Sequence, residues 1–321
     1  MKLSYISVVL LNYNGKQYLE KTLPPILNLN YPNYEIIVVD NGSDDGSIDY
    51  LSAQKNIKLI KSPRFKEKNF ACNYAITQAK GEFILLLDND IIIIDENILK
   101  KLLDFLKKLT NPGAIGLAVH DDNIPKSSRY GSYFSYYFIR EVKKYTIEQI
   151  KQLHENVIPA TGGQIFIKKE LWQQIGGYDD HLKFGGDDND LGIRLTLLGY
   201  NNYLYSETNQ IHIGINERID NKKYMQKFSD MFYAHLYTIT KNYNSKNLIP
   251  SLIIYTGFTF LKAIKQSVKR KNAGPLSSFL KGLYLYSKNL KIALKKRKIV
   301  QSQRLFKHDI FLKIKPPRIN K

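Results

Sequence analysis

An Asp-Asn-Asp triplet, Asp88-Asn89-Asp90, follows directly on the apolar run Ile84–Leu87. Two carboxylates separated by one residue, just past a strand end, can address one hard divalent cation and leave sites for phosphate oxygens. Exposed loops are rich in Asp and Asn, so the triplet alone says little. The segment Val38-Val-Asp-Asn-Gly-Ser-Asp-Asp-Gly-Ser47 is more specific, because a buried strand ends in Asp40 and a Gly-Ser turn leads into a helix. That geometry aims a carboxylate at a ligand and brings backbone N–H groups close by. An acidic turn with Ser43 or Asp44 as a helix N-cap explains part of the same pattern. The adjacent pair Asp187-Asp188 stands after Gly185-Gly186 at the start of another helical pattern. Adjacent carboxylates raise one another's pKa, which suits a base that takes a hydroxyl proton; acidic residues at a helix start also complement its dipole. Asp190 and Arg194, spaced i and i+4, read as a structural pair.

These residues need elements to hold them. Ile6–Leu10, Ile36–Val39, Ile57–Lys61 and Phe83–Leu87 read as strands, alternating with helical patterns at Lys16–Leu27, Gly46–Gln54 and Asn69–Lys80. Strand–helix alternation implies an α/β fold with a mainly parallel central sheet and helices on both faces. Asp40 and Asp88 each follow an apolar strand, at the carboxyl-end crevice where open α/β sheets bind ligands. Further on, Gln164–Ile167 reads as a strand, Lys169–Ile175 as a short helix, and Asp188–Leu198 as a helix closed by Gly199. The aromatic run Tyr130–Phe138 suits either a strand packed on the core or an acceptor surface.

The motifs, taken in order, resemble glycosyltransferase family 2, the inverting GT-A enzymes, and in particular bacterial cell-envelope members related to rhamnosyltransferases. The matching pieces are Val8-Val-Leu-Leu-Asn-Tyr-Asn-Gly15, Val38–Ser47, Asn69-Phe-Ala-Cys-Asn73, Gly81–Asp90, Thr161-Gly-Gly-Gln-Ile-Phe166, and Gly176-Gly-Tyr-Asp-Asp180 running on to Phe184–Leu191 and Gly199-Tyr200. The resemblance implies a GT-A, Rossmann-like domain over residues 1–215. It implies transfer of a sugar from a nucleoside-diphosphate donor to a hydroxyl of a saccharide or lipid-linked saccharide. By the same resemblance Asn12, Asp40 and Asn73 belong to the nucleotide pocket, with Asp88 facing ribose and donor sugar. Asp90 is implied as the ligand of Mg²⁺ or Mn²⁺, with His212 able to complete the metal site or to be structural. Asp188 is implied as the general base and Asp187 as its helper. Arg64 and Lys66, after the third strand, suit diphosphate oxygens or plain solvent. The chain departs from the family pattern at Cys72-Asn73 and at Gly185-Gly186, which bears on acceptor fit more than on reaction class.

Charge divides the chain. Residues 1–215 carry 24 Lys+Arg against 25 Asp+Glu, whereas residues 216–321 carry 24 against 4. The basic region reads as helical, with apolar series at Ile254, Phe258, Leu261, Ile264, Val268 and at Phe279, Leu283, Tyr286, Leu290, Leu294. Lys-rich amphipathic helices suit an anionic membrane surface, with Lys295, Lys296 and Lys298 as an exposed cluster, in preference to nucleic acid. The weakly polar stretch between Lys246 and Lys262 contains Pro250 and Gly257 and falls short of the roughly 20 residues of a spanning helix. The expected location is therefore cytoplasmic and peripheral to the membrane. The single cysteine, Cys72, excludes an internal disulfide framework and any zinc site of several thiolates. A sugar-phosphate nucleotidyltransferase would carry a glycine-dense loop after the first strand; here that loop is Asn12-Tyr-Asn-Gly-Lys-Gln17.

Overall fold

The computed structural model describes residues 3–122, 127–134, 140–153, 157–182, 185–213 and 220–316. Phe184 and residues 135–138 of the aromatic run lie outside them. The chain opens with β1 (Ile6–Asn12), α1 (Lys16–Leu27), β2 (Tyr34–Asp40), α2 (Ser47–Ser52), β3 (Lys58–Lys61), α3 (Lys68–Thr77) and β4 (Phe83–Asp88). This is the expected alternation, and β3, β2, β1 and β4 lie side by side in parallel. Along β1, Val8 and Leu10 pack with Leu19 and Leu23 of α1, while Val9 and Leu11 pack with Ala71 and Ala75 of α3. Side chains alternate across a strand, so a run apolar at every position must be buried on both faces.

Beyond the triplet come β5 (Ile91–Ile92), α4 (Ile98–Leu106), β6 (Pro112–Asp121), β7 (Ser127–Phe134), β8 (Arg140–Thr146), α5 (Ile147–Lys151), β9 (Ile165–Lys168), α6 (Lys169–Gln174), α7 (Asp187–Leu197) and β10 (Asn201–His212). The sheet order is β3-β2-β1-β4-β9-β6-β10-β5, with β7 and β8 branching from β6. It is mixed: β9 runs antiparallel to β4 and β6, and β5 antiparallel to β10.

Three long helices complete the chain, α8 (Asn221–Asn242), α9 (Ser245–Arg270) and α10 (Gly274–Gln303). They form no loose appendage. Ile193 and Leu197 of α7 share a core with Phe232, Leu236 and Ile239 of α8, Tyr255 of α9 and Phe279 of α10. The opposite side of α7, through Leu191 and Leu195, packs on the sheet. Burial on both sides explains why its polar residues Asn189, Asp190 and Arg194 are also inside.

Two sequence expectations change here. Helix α9 continues unbroken through Pro250, Gly257 and Lys262, and its 26 residues are long and apolar enough to cross a membrane by length and composition. Lys296 does not stand in an exposed cluster, because its ammonium turns inward to Asp179 Oδ1 at 2.5 Å.

Candidate active site

Parallel pairing of β2, β1 and β4 ends at one edge and places Asp40, Asn12 and Asp88 in neighbouring register: Asn12 opposes Asp40, and Leu11 opposes Asp88. Asp40 is 1% exposed. Its Oδ1 accepts the backbone N–H groups of Gly42 and Ser43 at 3.0 and 2.9 Å, and its Oδ2 accepts Asn12 Nδ2 at 2.9 Å and the Ser43 hydroxyl at 2.5 Å. Asp40 thus ties down the loop that follows it. Asn12 extends the tie to the triplet, since its Oδ1 accepts Asn89 Nδ2 at 2.7 Å. Gly15 makes room for this contact; a Cβ there would lie 1.8 Å from Asn89 Nδ2. Two exposed rings, Tyr13 and Phe65, border the same loops. Phe65 lies over Gly42, whose φ of +92° and close ring contact both require glycine. Neither ring was singled out from sequence, because an isolated surface aromatic carries no spacing signal.

The triplet turns straight into β5, and the antiparallel β5–β10 pairing sets His212 opposite Ile91. His212 Nε2 consequently stands 3.0 Å from Asp90 Oδ2. Asp90 Oδ1 is buried and meets no hydrogen-bond donor among the described residues. A buried carboxylate oxygen without a donor beside an imidazole is a fitting donor set for a divalent cation. Among the described residues no group of three or more His, Cys, Asp or Glu forms a cage, so further ligands would come from phosphate oxygens and water, as Mg²⁺ and Mn²⁺ accept.

The acidic pair opens α7, where Gly186 at φ +94° forms the left-handed cap position. Asp187 is buried and Asp188 half-buried. Between the pair and the triplet stands Lys68, at the first position of α3: its ammonium is 3.2 Å from Asp88 Oδ1 and 3.8 Å from Asp187 Oδ2. Burial works against that charge, but Asp88 and Asp187 outweigh it and hold the Lys68 pKa above its ordinary range. Burial likewise pushes Asp187 above the usual carboxylate range, with the like charge of Asp188 adding and Lys68 opposing. Lys68 went unread in the sequence because nothing in its spacing links residue 68 to residue 187. Cys72, one helical turn on, has its thiol pushed up to about 12 by burial and is no nucleophile at neutral pH.

Asn73 joins a different contact. Its Nδ2 donates to Tyr178 O and Asp180 Oδ1 at 2.8 and 2.9 Å, and its Oδ1 accepts the Tyr178 N–H, so it clasps the turn before α7. Arg64 stacks over the Phe70 ring at 4.2 Å, and Lys66 is exposed near Tyr13. The Asp190–Arg194 pair is present as expected, Nε to Oδ2 at 2.8 Å. Carboxylates and one imidazole thus gather at the carboxyl edge of the sheet, with Lys68 between Asp88 and Asp187.

Comparisons with known proteins bear on the family and the fold. The family model described as glycosyl transferase family 2 matches residues 7–176. A putative teichuronic acid biosynthesis glycosyltransferase, TuaG of Bacillus subtilis, is 33% identical over 26% of this chain and 35% of its own. Among solved structures, TarS 1–349 of S. aureus superposes with a TM-score of 0.57 at 15% identity, covering 96% of this chain and 90% of that one. The mannosyltransferase PcManGT from Pyrobaculum calidifontis, in complex with GDP-Man and Mn²⁺, gives a TM-score of 0.54 at 15% identity over 98% and 86%. These likenesses show the GT-A fold. The chain spans between 15% and 56% of the length of the first curated relatives it matches. With more than half its residues under the family model, the chain belongs to glycosyl transferase family 2.

Proposed function

We propose that this chain is an inverting glycosyltransferase that moves a sugar from a nucleoside-diphosphate donor to a hydroxyl of a saccharide or lipid-linked saccharide in cell-envelope polysaccharide synthesis. The observation that carries the reading is the Lys68 contact, which brings Asp88, at the triplet, to Asp187, at the acidic pair, although they lie 99 residues apart in the chain. Donor-side and acceptor-side carboxylates must face one space for direct displacement. Names such as TuaG among the relatives support an envelope polysaccharide, and the Mn²⁺ of PcManGT supports a divalent metal.

In this reading residues 1–215 carry the reaction and the helices of residues 216–321 buttress it. The Asn12–Asp40–Ser43 loop and the rings of Tyr13 and Phe65 receive the nucleoside, while Asp88 faces ribose and donor sugar. Asp90 and His212 would hold Mg²⁺ or Mn²⁺, and a divalent cation there would supply positive charge to the departing diphosphate. Lys68 adds positive charge beside the same phosphates. The acceptor oxygen attacks the anomeric carbon from the face opposite the diphosphate. The bond from that carbon to the phosphate oxygen breaks, and Asp188 takes the hydroxyl proton. Asp187, buried and bound toward Lys68, fixes the start of α7 so that the partly open Asp188 points to the acceptor.

Calorimetry with a panel of nucleoside diphosphates, with Mn²⁺ or chelator, separates the two carboxylate roles. Asp90→Ala is expected to lose most metal-dependent binding. Asp188→Asn is expected to keep binding and lose about 10²–10⁴-fold in turnover, with Asp187→Asn milder. Equal binding by Asp90→Ala in Mn²⁺ and in chelator refutes the metal assignment. Normal turnover in Asp188→Asn beside a dead Asp187→Asn moves the base by one residue.

A further inference from the structure

Helix α9 is built inside out. Its buried positions are Ser251, Tyr255, Thr259 and Ala263, recurring every four residues and therefore forming one stripe. These are small or polar side chains, and they let α9 approach its neighbours closely: Tyr255 Oη lies 2.6 Å from His235 Nδ1 of α8, and Phe260 packs against Phe279 of α10 with ring centroids 5.4 Å apart. The apolar residues face the other way. Ile253, Leu261 and Val268 are 67%, 66% and 73% exposed, and no described residue covers them. The apolar series expected from sequence is thus present but turned to solvent, and Leu280 and Tyr284 of α10 are exposed as well. Lys262, Lys265 and Lys269 are also exposed and border this face. A contiguous apolar face of this extent marks an interaction site.

We infer that the outward face of α9 is a membrane-docking surface that lies in the plane of an anionic bilayer, its apolar side chains in the acyl boundary and its lysines on lipid phosphates. The choice of occupant follows from charge. Residues 216–321 hold 24 basic against 4 acidic side chains, with none acidic between Asp230 and Asp309. A second copy of the chain would bring the same positive excess against itself, whereas an anionic lipid surface neutralises it. A spanning pose conflicts with the packing, because α9 is fastened at both ends: Asn244, its N-cap, bonds Asp309, and Arg270 bonds Asn221 at the start of α8. Crossing a bilayer would carry the Lys-bearing α8 and α10 into hydrocarbon or strip α9 from them. Apolar moment plus a lysine border is the pattern of helices that rest at the interface. This inference does not depend on the transferase reading, since its readout is lipid binding.

The test is co-sedimentation of the full chain with vesicles of phosphatidylglycerol and phosphatidylcholine in equal parts, and with phosphatidylcholine alone. The wild-type chain is expected to bind the anionic vesicles, more weakly as salt rises. Ile253→Ser combined with Leu261→Ser is expected to weaken binding by about tenfold or more with an unchanged melting temperature, because both positions are exposed. Lys262→Glu, Lys265→Glu and Lys269→Glu together are expected to abolish the preference for anionic vesicles. Wild-type vesicle binding by the serine variant overturns the inference. So does a serine variant that changes only the sedimentation coefficient without lipid, which makes the face a contact between copies. Resistance of the bound chain to alkaline extraction overturns it in favour of a spanning helix.

Discussion

Lys68 bridges two carboxylates of the candidate site. Its ammonium lies between Asp88 and Asp187, so one positive charge is shared by two carboxylates that would otherwise repel one another. The same charge opposes the burial that raises the Asp187 pKa. Removing it therefore moves that pKa further up. In Lys68→Met the acid limb of the pH–rate profile is expected to shift to higher pH, because the protonated and inactive form persists further toward neutrality. A limb that stays in place shows that the acidic pair does not sense Lys68. Folding should change little, since the side chain is one-third exposed.

Among the elements, α7 decides how site and helices meet. Asp190 in its first turn receives Arg194 Nε at 2.8 Å, Lys241 Nζ of α8 at 2.7 Å and Asn242 Nδ2 at 2.8 Å. Lys241 also reaches Asp179 at 2.6 Å, and Lys296 of α10 reaches the other oxygen of Asp179. Arg194 donates onward to the carbonyls of Ile175 and Gly177. Burial opposes ionisation of both carboxyls, but Arg194 and Lys241 at Asp190, and Lys241 and Lys296 at Asp179, hold them below the usual carboxylate range. A depressed folded pKa contributes stability that is present above the unfolded value, about 3.9, and is lost as pH falls through the folded one. Lys241→Met keeps the packing yet strips two buried carboxylates of a shared partner. The expected loss is about 3–5 kcal/mol, with acid unfolding beginning at higher pH than in the parent. Urea titrations across the acid range check both outcomes; an unchanged midpoint refutes the shared role.

At the scale of the whole molecule, the sheet and the basic helices are joined through α7, which packs on both. The outer side of α7 has its core partners in Phe232, Leu236, Ile239 and Phe279, and the C-terminal 3₁₀ turn Ile310–Leu312 adds Phe311 and Leu312 to the same cluster. A chain ending at residue 220 would expose Ile193 and Leu197 to water and leave Asp190 without Lys241. Such a truncation is expected to lose cooperative thermal unfolding, measured by calorimetry. A sharp transition near the parent temperature would show that the helices are dispensable to the sheet. Asn12, Asp40 and Asp88 depend on strand register far from these helices, so nucleotide-loop geometry should suffer less than the acidic pair.

What the sequence alone determined was set by local pattern. Short apolar runs alternating with helical patterns marked β1 to β4 and their parallel pairing, and the runs of β2 and β4 ending in Asp marked the positions of Asp40, Asp88 and Asp90, because period and turn chemistry act over a few residues. The i, i+4 spacing likewise announced the Asp190–Arg194 pair. Tertiary structure decided everything that needed distant segments to meet. The antiparallel insertion of β9, the delivery of His212 to Asp90 through the β5–β10 pairing, and the bridge from Lys68 to Asp187 leave no periodic trace in the chain. The same holds for Asn73, whose bonds go to Tyr178 and Asp180, and for Lys296, drawn inward by Asp179. Helix α9 shows the limit most plainly: its periodicity revealed an apolar stripe, but which side of a helix faces the core depends on what the neighbouring helices can accept. Here the tight approach to α8 and α10 admits Ser251, Thr259 and Ala263 and leaves Ile253, Leu261 and Val268 outside.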